Sequence, residues 1–228
     1  MSKDAIPACV GIIMDGNRRY ARERGLPTFE GHRRGLEKFK ETTEWLFDAG
    51  VGTALYYAFS TENWNRAPKE VSYLMKLFAS AIENELTALQ KRGACVRFLG
   101  DLSRLPAPLY KAARTLEEET KNGTKGTIVV ALSYGGRPEI LAAVNKLLAE
   151  GKREVDEISF RKAMWSADIP DPDLIIRTGG EKRLSNFLPW QSVYSEFAFT
   201  DTKWPAFSRE ELTRILADFT LRERRRGA

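Results

Sequence analysis

The sequence holds only two cysteines, Cys9 and Cys95, and a single histidine, His32. The cysteines lie far apart and form no CxxC pair, so neither a disulfide framework nor a structural zinc site is expected, and a reducing compartment suits the chain. One histidine excludes multi-histidine metal centres and leaves little room for a Ser-His-Asp triad. No run approaches the roughly 18 apolar residues of a membrane span. The opening Met-Ser-Lys-Asp-Ala-Ile-Pro has no apolar signal segment, which predicts a cytoplasmic protein. Low-complexity stretches, internal repeats and linkers are missing too, as is the GxxxxGK[ST] phosphate loop of nucleotide-binding proteins.

The 228 residues, 43% hydrophobic and 29% charged, are enough to bury a full core without staples, and a single domain over 1–228 is expected. The net charge of +5 is a mild excess, clustered at Arg18-Arg19, at Arg33-Arg34 and along 222–226. Such clusters serve as solvated faces, as sites for small phosphates or, less often, as nucleic-acid patches; no nucleic-acid partner is expected here.

Strand-like and helix-like segments alternate. Residues 9–14 (CVGIIM), 53–59, 94–99, 127–132, 174–176 and 196–199 read as strands. Helices are predicted over about 35–49, 69–91, 105–121, 138–149, 160–166 and 208–225. Strands separated by helices imply right-handed crossovers, hence an α/β domain with a largely parallel six-stranded sheet flanked by helices. Ligands of such sheets collect at the carboxyl ends of the strands, and the polar motifs of this chain come directly after strands.

The first motif, Asp15-Gly16-Asn17-Arg18-Arg19, leaves a strand and enters a helix. Gly16 lets backbone approach a ligand, helix-start N–H groups attract anions, and Arg19 offers a charged donor. A carboxylate among phosphate binders makes sense when Mg²⁺ bridges the two; an Asp-Gly turn is the plainer reading. The second, Arg177-Thr-Gly-Gly-Glu-Lys-Arg183-Leu-Ser185-Asn186, supplies guanidinium forks, free backbone and a hydroxyl, the inventory for a diphosphate, or else a charged hairpin turn. Ser60-Thr-Glu-Asn63-Trp64-Asn-Arg66 forms a varied polar loop followed by Glu70, and His32 sits beside Arg33 and Arg34 at a helix start. Leu74, Leu77 and Phe78 lie on an apolar helix stripe that serves either as core or as one wall of an apolar tunnel.

These residues, with Ser133-Tyr-Gly-Gly-Arg137, Trp190-Gln191 and the ending Arg-Arg-Arg-Gly227, resemble the cis-prenyltransferases, the family typified by undecaprenyl diphosphate synthase, over nearly the whole chain. The DDxxD pairs of trans-type synthases are absent. The resemblance implies an Mg²⁺-dependent condensation of isopentenyl diphosphate with an allylic diphosphate such as farnesyl diphosphate, giving a long cis product, undecaprenyl diphosphate; a shorter product or a non-catalytic isoprenoid-binding subunit are its alternatives. It implies that Asp15 and Glu196 hold the metal, and that Gly16, Asn17, Arg18, Arg19 and His32 surround the allylic diphosphate. Arg177, Arg183 and Ser185 would take isopentenyl diphosphate. Ser60, Asn63, Trp64 and Arg66, steadied by Glu70, would position the reacting ends, with Asp15, Asn63 and Arg66 catalytic. Arg225 and Gly227 would reach a partner subunit, implying a homodimer, and a long product implies peripheral membrane contact at release. Thr28 stands where many relatives carry an arginine, and Lys182 where some carry a histidine. As a loop residue, Asp15 is expected to be dispensable for folding.

Overall fold

Strands β1 (Cys9–Ile13), β2 (Thr53–Ser60), β3 (Ala94–Leu99), β4 (Gly126–Tyr134), β5 (Leu174–Arg177) and β6 (Glu196–Phe199) form one sheet in the order β3-β4-β2-β1-β5-β6. Every pairing is parallel. The computed structural model describes residues 6–222 apart from 87, 89, 90 and 92. Arg225 and Gly227 therefore lie outside the described residues.

Seven α-helices cross over among the described residues: α1 (Asn17–Glu23), α2 (Thr28–Asp48), α3 (Pro68–Ser80), α4 (Ala107–Thr120), α5 (Gly136–Ala149), α6 (Glu157–Ala163) and α7 (Arg209–Thr220). Alternation along the strands divides the core between the two faces of the sheet. Tyr56, Ile128 and Val130 join Phe39, Leu46, Leu74 and Trp204 on one face. Leu55, Val129 and Ala131 join Ile175, Phe187 and Leu188 on the other. A smaller cluster of Ala143, Leu147 and Phe160 locks α5 to α6.

Several helix boundaries differ from the expected ones, each for a local reason. Helix α2 begins at Thr28 rather than near residue 35, with Pro27 extended at its cap and Glu30 in its first turn. Gly31 and Gly35 do not stop it. They flatten one side so that α1 can lie against it: a Cβ on Gly35 would stand 2.5 Å from Asn17 Oδ1. Beyond Ser80, the expected long helix passes into a π-helical turn over Ala81–Leu86, a widening that recurs at functional sites. Helix α6 starts three residues earlier than expected because Asp156 caps it, accepting the Ser159 N–H at 2.7 Å while Ser159 Oγ accepts the Asp156 N–H at 3.1 Å.

The 204–207 turn fastens the sheet to α2. Trp204 is fully buried, its indole N–H donates to the Gly35 carbonyl at 2.8 Å, and its backbone N–H donates to the Asp15 carbonyl at 2.9 Å. Trp204→Ala should lower unfolding free energy by about 3–5 kcal/mol, read as a fall in the urea midpoint. Trp204→Phe should recover most of that loss, since packing outweighs the one hydrogen bond.

Candidate active site

The loops after β1 and β5 meet where the strand order reverses. Register pairs Ile13 with Arg177, so Asp15, two residues past β1, faces the end of β5. Arg177 is buried at 4% exposure, and its Nη2 donates to Asp15 Oδ2 at 2.9 Å. Its Nη1 donates to Ser185 Oγ at 2.7 Å and to the Arg183 carbonyl. On the other side of the carboxylate, Arg19 Nη2 lies 3.1 Å from Asp15 Oδ1. Two guanidinium groups thus hold one carboxylate, and Arg177 Nε remains without a partner among the described residues.

Backbone geometry makes this approach possible. Gly16 caps α1 with φ +106°, and a Cβ there would strike Lys203 at 2.8 Å. The Thr178 hydroxyl donates to the Asp15 carbonyl at 2.8 Å, pinning the two loops together. Asp15 is consequently not a free loop residue. Removing its carboxylate leaves the buried Arg177 guanidinium without its counter-charge, a cost of about 3–5 kcal/mol for a fully buried pair, so Asp15 supports the fold as well as lining the site.

A second charged group faces the first across the mouth. Glu70 Oε1 lies 3.3 Å from His32 Nε2, 3.2 Å from Arg66 Nη1 and 4.0 Å from Arg18 Nε. Ser60 and Asn63 form a capping box around the turn Thr61–Asn65, with the Ser60 N–H donating to Asn63 Oδ1 at 3.1 Å. Burial depresses the guanidinium of Arg66 below its ordinary range, although Glu70 opposes this.

Between these groups opens a cavity of about 1030 Å³, at the upper limit of small-molecule pockets. Its mouth is polar: Asp15, Asn17, Arg18, Arg19, His32, Ser60, Asn63, Arg66, Arg177 and Ser185. Its depth is apolar, walled by Leu36 and Phe39 of α2, Leu74, Leu77 and Phe78 of α3, and Phe98 and Val130 of the sheet. The apolar helix stripe is therefore both core and cavity wall. Arg22 and Thr28 also line the mouth, so α1 alone brings three arginines to the side where Thr28 supplies no charge.

Four expected residues stand elsewhere. Trp64 packs edge-on against Phe59 and donates its indole N–H to Ser133 Oγ at 3.0 Å, which makes it an anchor of the loop and not part of the cavity wall. Glu70 acts behind the wall, through His32 and Arg66. The Arg183 guanidinium is 60% exposed and pairs with Glu181; only its carbonyl meets Arg177. Glu196 opens β6 opposite Leu174, whereas Phe199 lies opposite Arg177. That separation of three residues is roughly 10 Å, and the Glu196 carboxylate pairs with Arg222 at 2.6 Å. Asp15 and Glu196 are not brought together within the chain.

An arginine-rich cradle roofing an apolar cavity suits an amphiphile with a phosphorylated head, and sequence comparison agrees. Residues 13–227 match the prenyltransferase family described as undecaprenyl diphosphate synthase. The chain belongs to this family of cis-prenyltransferases. An isoprenyl transferase of Thermotoga maritima is 45% identical, with 97% of each chain covered. A tritrans,polycis-undecaprenyl-diphosphate synthase (geranylgeranyl-diphosphate specific) of Methanopyrus kandleri is also 45% identical, over 97% of this chain and 85% of that one. Among solved structures, lavandulyl diphosphate synthase from Lavandula x intermedia, in complex with dimethylallyl diphosphate, superposes with a TM-score of 0.95 at 32% identity, covering 99% and 100% of the two chains.

Sequence reasoning about the transferase missed Glu62, Asn186 and Glu139. The first two lay inside quoted motifs without a role, although Asn is the non-glycine residue most at ease in the left-handed region, where Asn186 sits at φ +68°. Glu139 is fully buried and accepts from Tyr134 Oη at 2.6 Å, the Ser166 N–H at 2.8 Å and Gln191 Nε2 at 2.9 Å. A carboxylate in a first helical turn gives no hint of such burial.

His32 supplies a pH test. Burial depresses its imidazole below the ordinary value near 6.5, more than the hydrogen bond it donates to Glu70 raises it. The unfolded chain therefore takes up a proton that the folded one resists, and stability present above about pH 6.5 declines as pH falls. His32→Asn should show a shallower loss of unfolding free energy between about pH 6.5 and 5 than the unchanged protein. Parallel pH profiles in urea titrations would contradict this.

Proposed function

We propose that this chain condenses isopentenyl diphosphate with an allylic diphosphate to form a long cis-polyprenyl diphosphate, in an Mg²⁺-dependent reaction. The observation that carries this reading is the Asp15–Arg177 pair at the mouth of a deep apolar cavity. No group of three or more His, Cys, Asp or Glu side chains that could hold a metal occurs among the described residues. A single carboxylate beside phosphate-type donors fits an Mg²⁺ that takes its remaining ligands from diphosphate oxygens and water, and Asp15 would hold it. When bound, Mg²⁺ neutralises charge on the diphosphate oxygens.

In this reading Arg19, Asn17 and His32 orient the allylic diphosphate while its prenyl tail enters the cavity. Arg177 and Ser185 hold isopentenyl diphosphate, whose double bond then points toward the allylic carbon. The allylic C–O bond breaks and its electron pair leaves with the diphosphate, whose negative charge the arginines stabilise. The double bond of isopentenyl diphosphate supplies the pair for the new C–C bond, and a diphosphate oxygen takes the proton lost from the adjacent carbon as the new cis double bond forms. Arg66 and Asn63 sit where charge develops between the two heads. Glu196 enters the metal's surroundings in this reading only through a rearrangement or a partner subunit.

The apolar depth admits a prenyl tail, and undecaprenyl diphosphate is the long product of this reading. Likeness to a lavandulyl diphosphate synthase favours the second reading, a short product. The Methanopyrus kandleri relative makes geranylgeranyl diphosphate a starter to try beside farnesyl diphosphate. A homodimer, carrying Arg225 and Gly227 into the neighbouring site, accords with the 70% and 68% exposure of Val193 and Tyr194. Among the described residues no helix is long and apolar enough to cross a membrane. Cytoplasmic synthesis with peripheral membrane contact at product release completes the proposal.

The test is a product assay with labelled isopentenyl diphosphate and dimethylallyl, farnesyl or geranylgeranyl diphosphate, with and without EDTA. A ladder of long products that EDTA abolishes is expected, and Asp15→Asn, which keeps an acceptor for Arg177, should lower turnover at least about a hundredfold. Arrest after one addition would favour the short product. No product from any starter would overturn the reading.

A further inference from the structure

The loop after β2 and the loop after β5 touch through one side-chain hydrogen bond in the cavity wall. Asn186 Nδ2 donates to Glu62 Oε1 at 2.9 Å, and both residues line the cavity. The rest of Asn186 is committed to α5: its Oδ1 accepts the Arg137 N–H at 2.9 Å and its carbonyl accepts the Gly136 N–H at 2.8 Å. Its neighbour Ser185, which holds Arg177 through Oγ, accepts from Tyr57 Oη through its carbonyl at 3.3 Å.

The backbone is bent to make this junction. Ser185, Asn186 and Leu188 have φ of +50°, +68° and +50°, and Ser133, which receives the Trp64 indole N–H, has +51°. Left-handed conformations at four non-glycine residues carry a local cost and persist where surrounding structure demands them. Hydrogen bonds from Asn186 and other donors also hold the Glu62 carboxyl below the usual carboxylate range despite partial burial, so Glu62 accepts as an anion, the stronger form of the bond.

We propose that Asn186 is a positioning residue that latches the Ser60–Arg66 loop to the loop carrying Arg177 and Ser185, fixing the distance between the two halves of the site. Resting on the prenyl-transfer reading, this deepens it: the bond sets how the isopentenyl diphosphate bound at Arg177 is presented to the allylic carbon near Asn63 and Arg66. Neither Glu62 nor Asn186 takes part in the chemistry.

An isosteric donor–acceptor exchange tests the latch. Asn186→Asp keeps the acceptor for the Arg137 N–H and tolerates the same backbone, but it sets a carboxylate against Glu62. It should lower kcat by about tenfold or more at an unchanged urea midpoint. Glu62→Gln alone keeps the acceptor oxygen and should lose little. The double variant Glu62→Gln with Asn186→Asp restores the bond with its direction reversed, and should recover most of the lost kcat. Failure of the double variant to recover, or near-normal kcat in Asn186→Asp, would overturn the proposal. Amide exchange supplies a second readout that needs no turnover: Asn186→Asp should speed exchange in 61–66, across the junction, and the double variant should slow it again. Unchanged exchange there would overturn the latch. Absence of product from the unchanged protein would count against prenyl transfer instead, leaving exchange to decide the latch.

Discussion

Taking a guanidinium out of water costs several kcal/mol unless a counter-charge and full hydrogen bonding accompany it, and Arg177 sits at 4% exposure at the carboxyl end of β5. Its requirements dictate the surrounding structure. Asp15 supplies the counter-charge from the neighbouring β1, at the point where the strand order reverses. Ser185 and the Arg183 carbonyl take Nη1, while Nε keeps no partner among the described residues, and the chain after β5 turns back on itself through left-handed residues. Gly179, at φ +86°, must lie close over Asp15, since a Cβ there would stand 2.8 Å from Arg19 and 3.1 Å from the Asp15 carbonyl. The polar wall is thereby held by bonds within the chain itself.

Beneath this polar wall, the sheet also lines the apolar depth. Phe98 and Val130 come from β3 and β4, while α2 and α3 close the space opposite. Close contact of α1 with Gly31 and Gly35 of α2 leaves Arg18, Arg19 and Arg22 at the mouth. Fold and site are one arrangement: an open parallel sheet with its ligands at the carboxyl ends, plus a gap between sheet and helices that the core leaves unfilled.

Much of this was legible in the sequence, for physical reasons. Strands such as 9–14 read easily because parallel strands covered on both faces are continuous apolar runs. Motifs after strands pointed correctly to the mouth of the cavity, since chain direction alone puts them there. Orientation within a motif was not legible. Trp64 and Arg183 belong to the right loops, yet Trp64 packs on Phe59 and Arg183 pairs with Glu181, and neither lines the cavity. Helix boundaries slipped for two reasons: Gly31 and Gly35 are contact surfaces for α1 rather than breakers, and the local Asp156 capping box starts α6 three residues early. Glu196 resembled a metal ligand by motif, but strand register sets it at the other end of β6 from Arg177. The Asn186–Glu62 bond joins residues 124 apart in sequence, so no local pattern could announce it.

The central claim is that Asp15, held between Arg19 and Arg177, is the protein's contribution to a metal–diphosphate site. Calorimetric titration with inorganic pyrophosphate, in the presence and absence of Mg²⁺, tests it most directly when run on the unchanged protein and on Asp15→Asn. The account predicts that Mg²⁺ tightens binding to the unchanged protein by about tenfold or more, while Asp15→Asn binds pyrophosphate through its arginines with no gain from the metal. An equal Mg²⁺ enhancement in both proteins would contradict it.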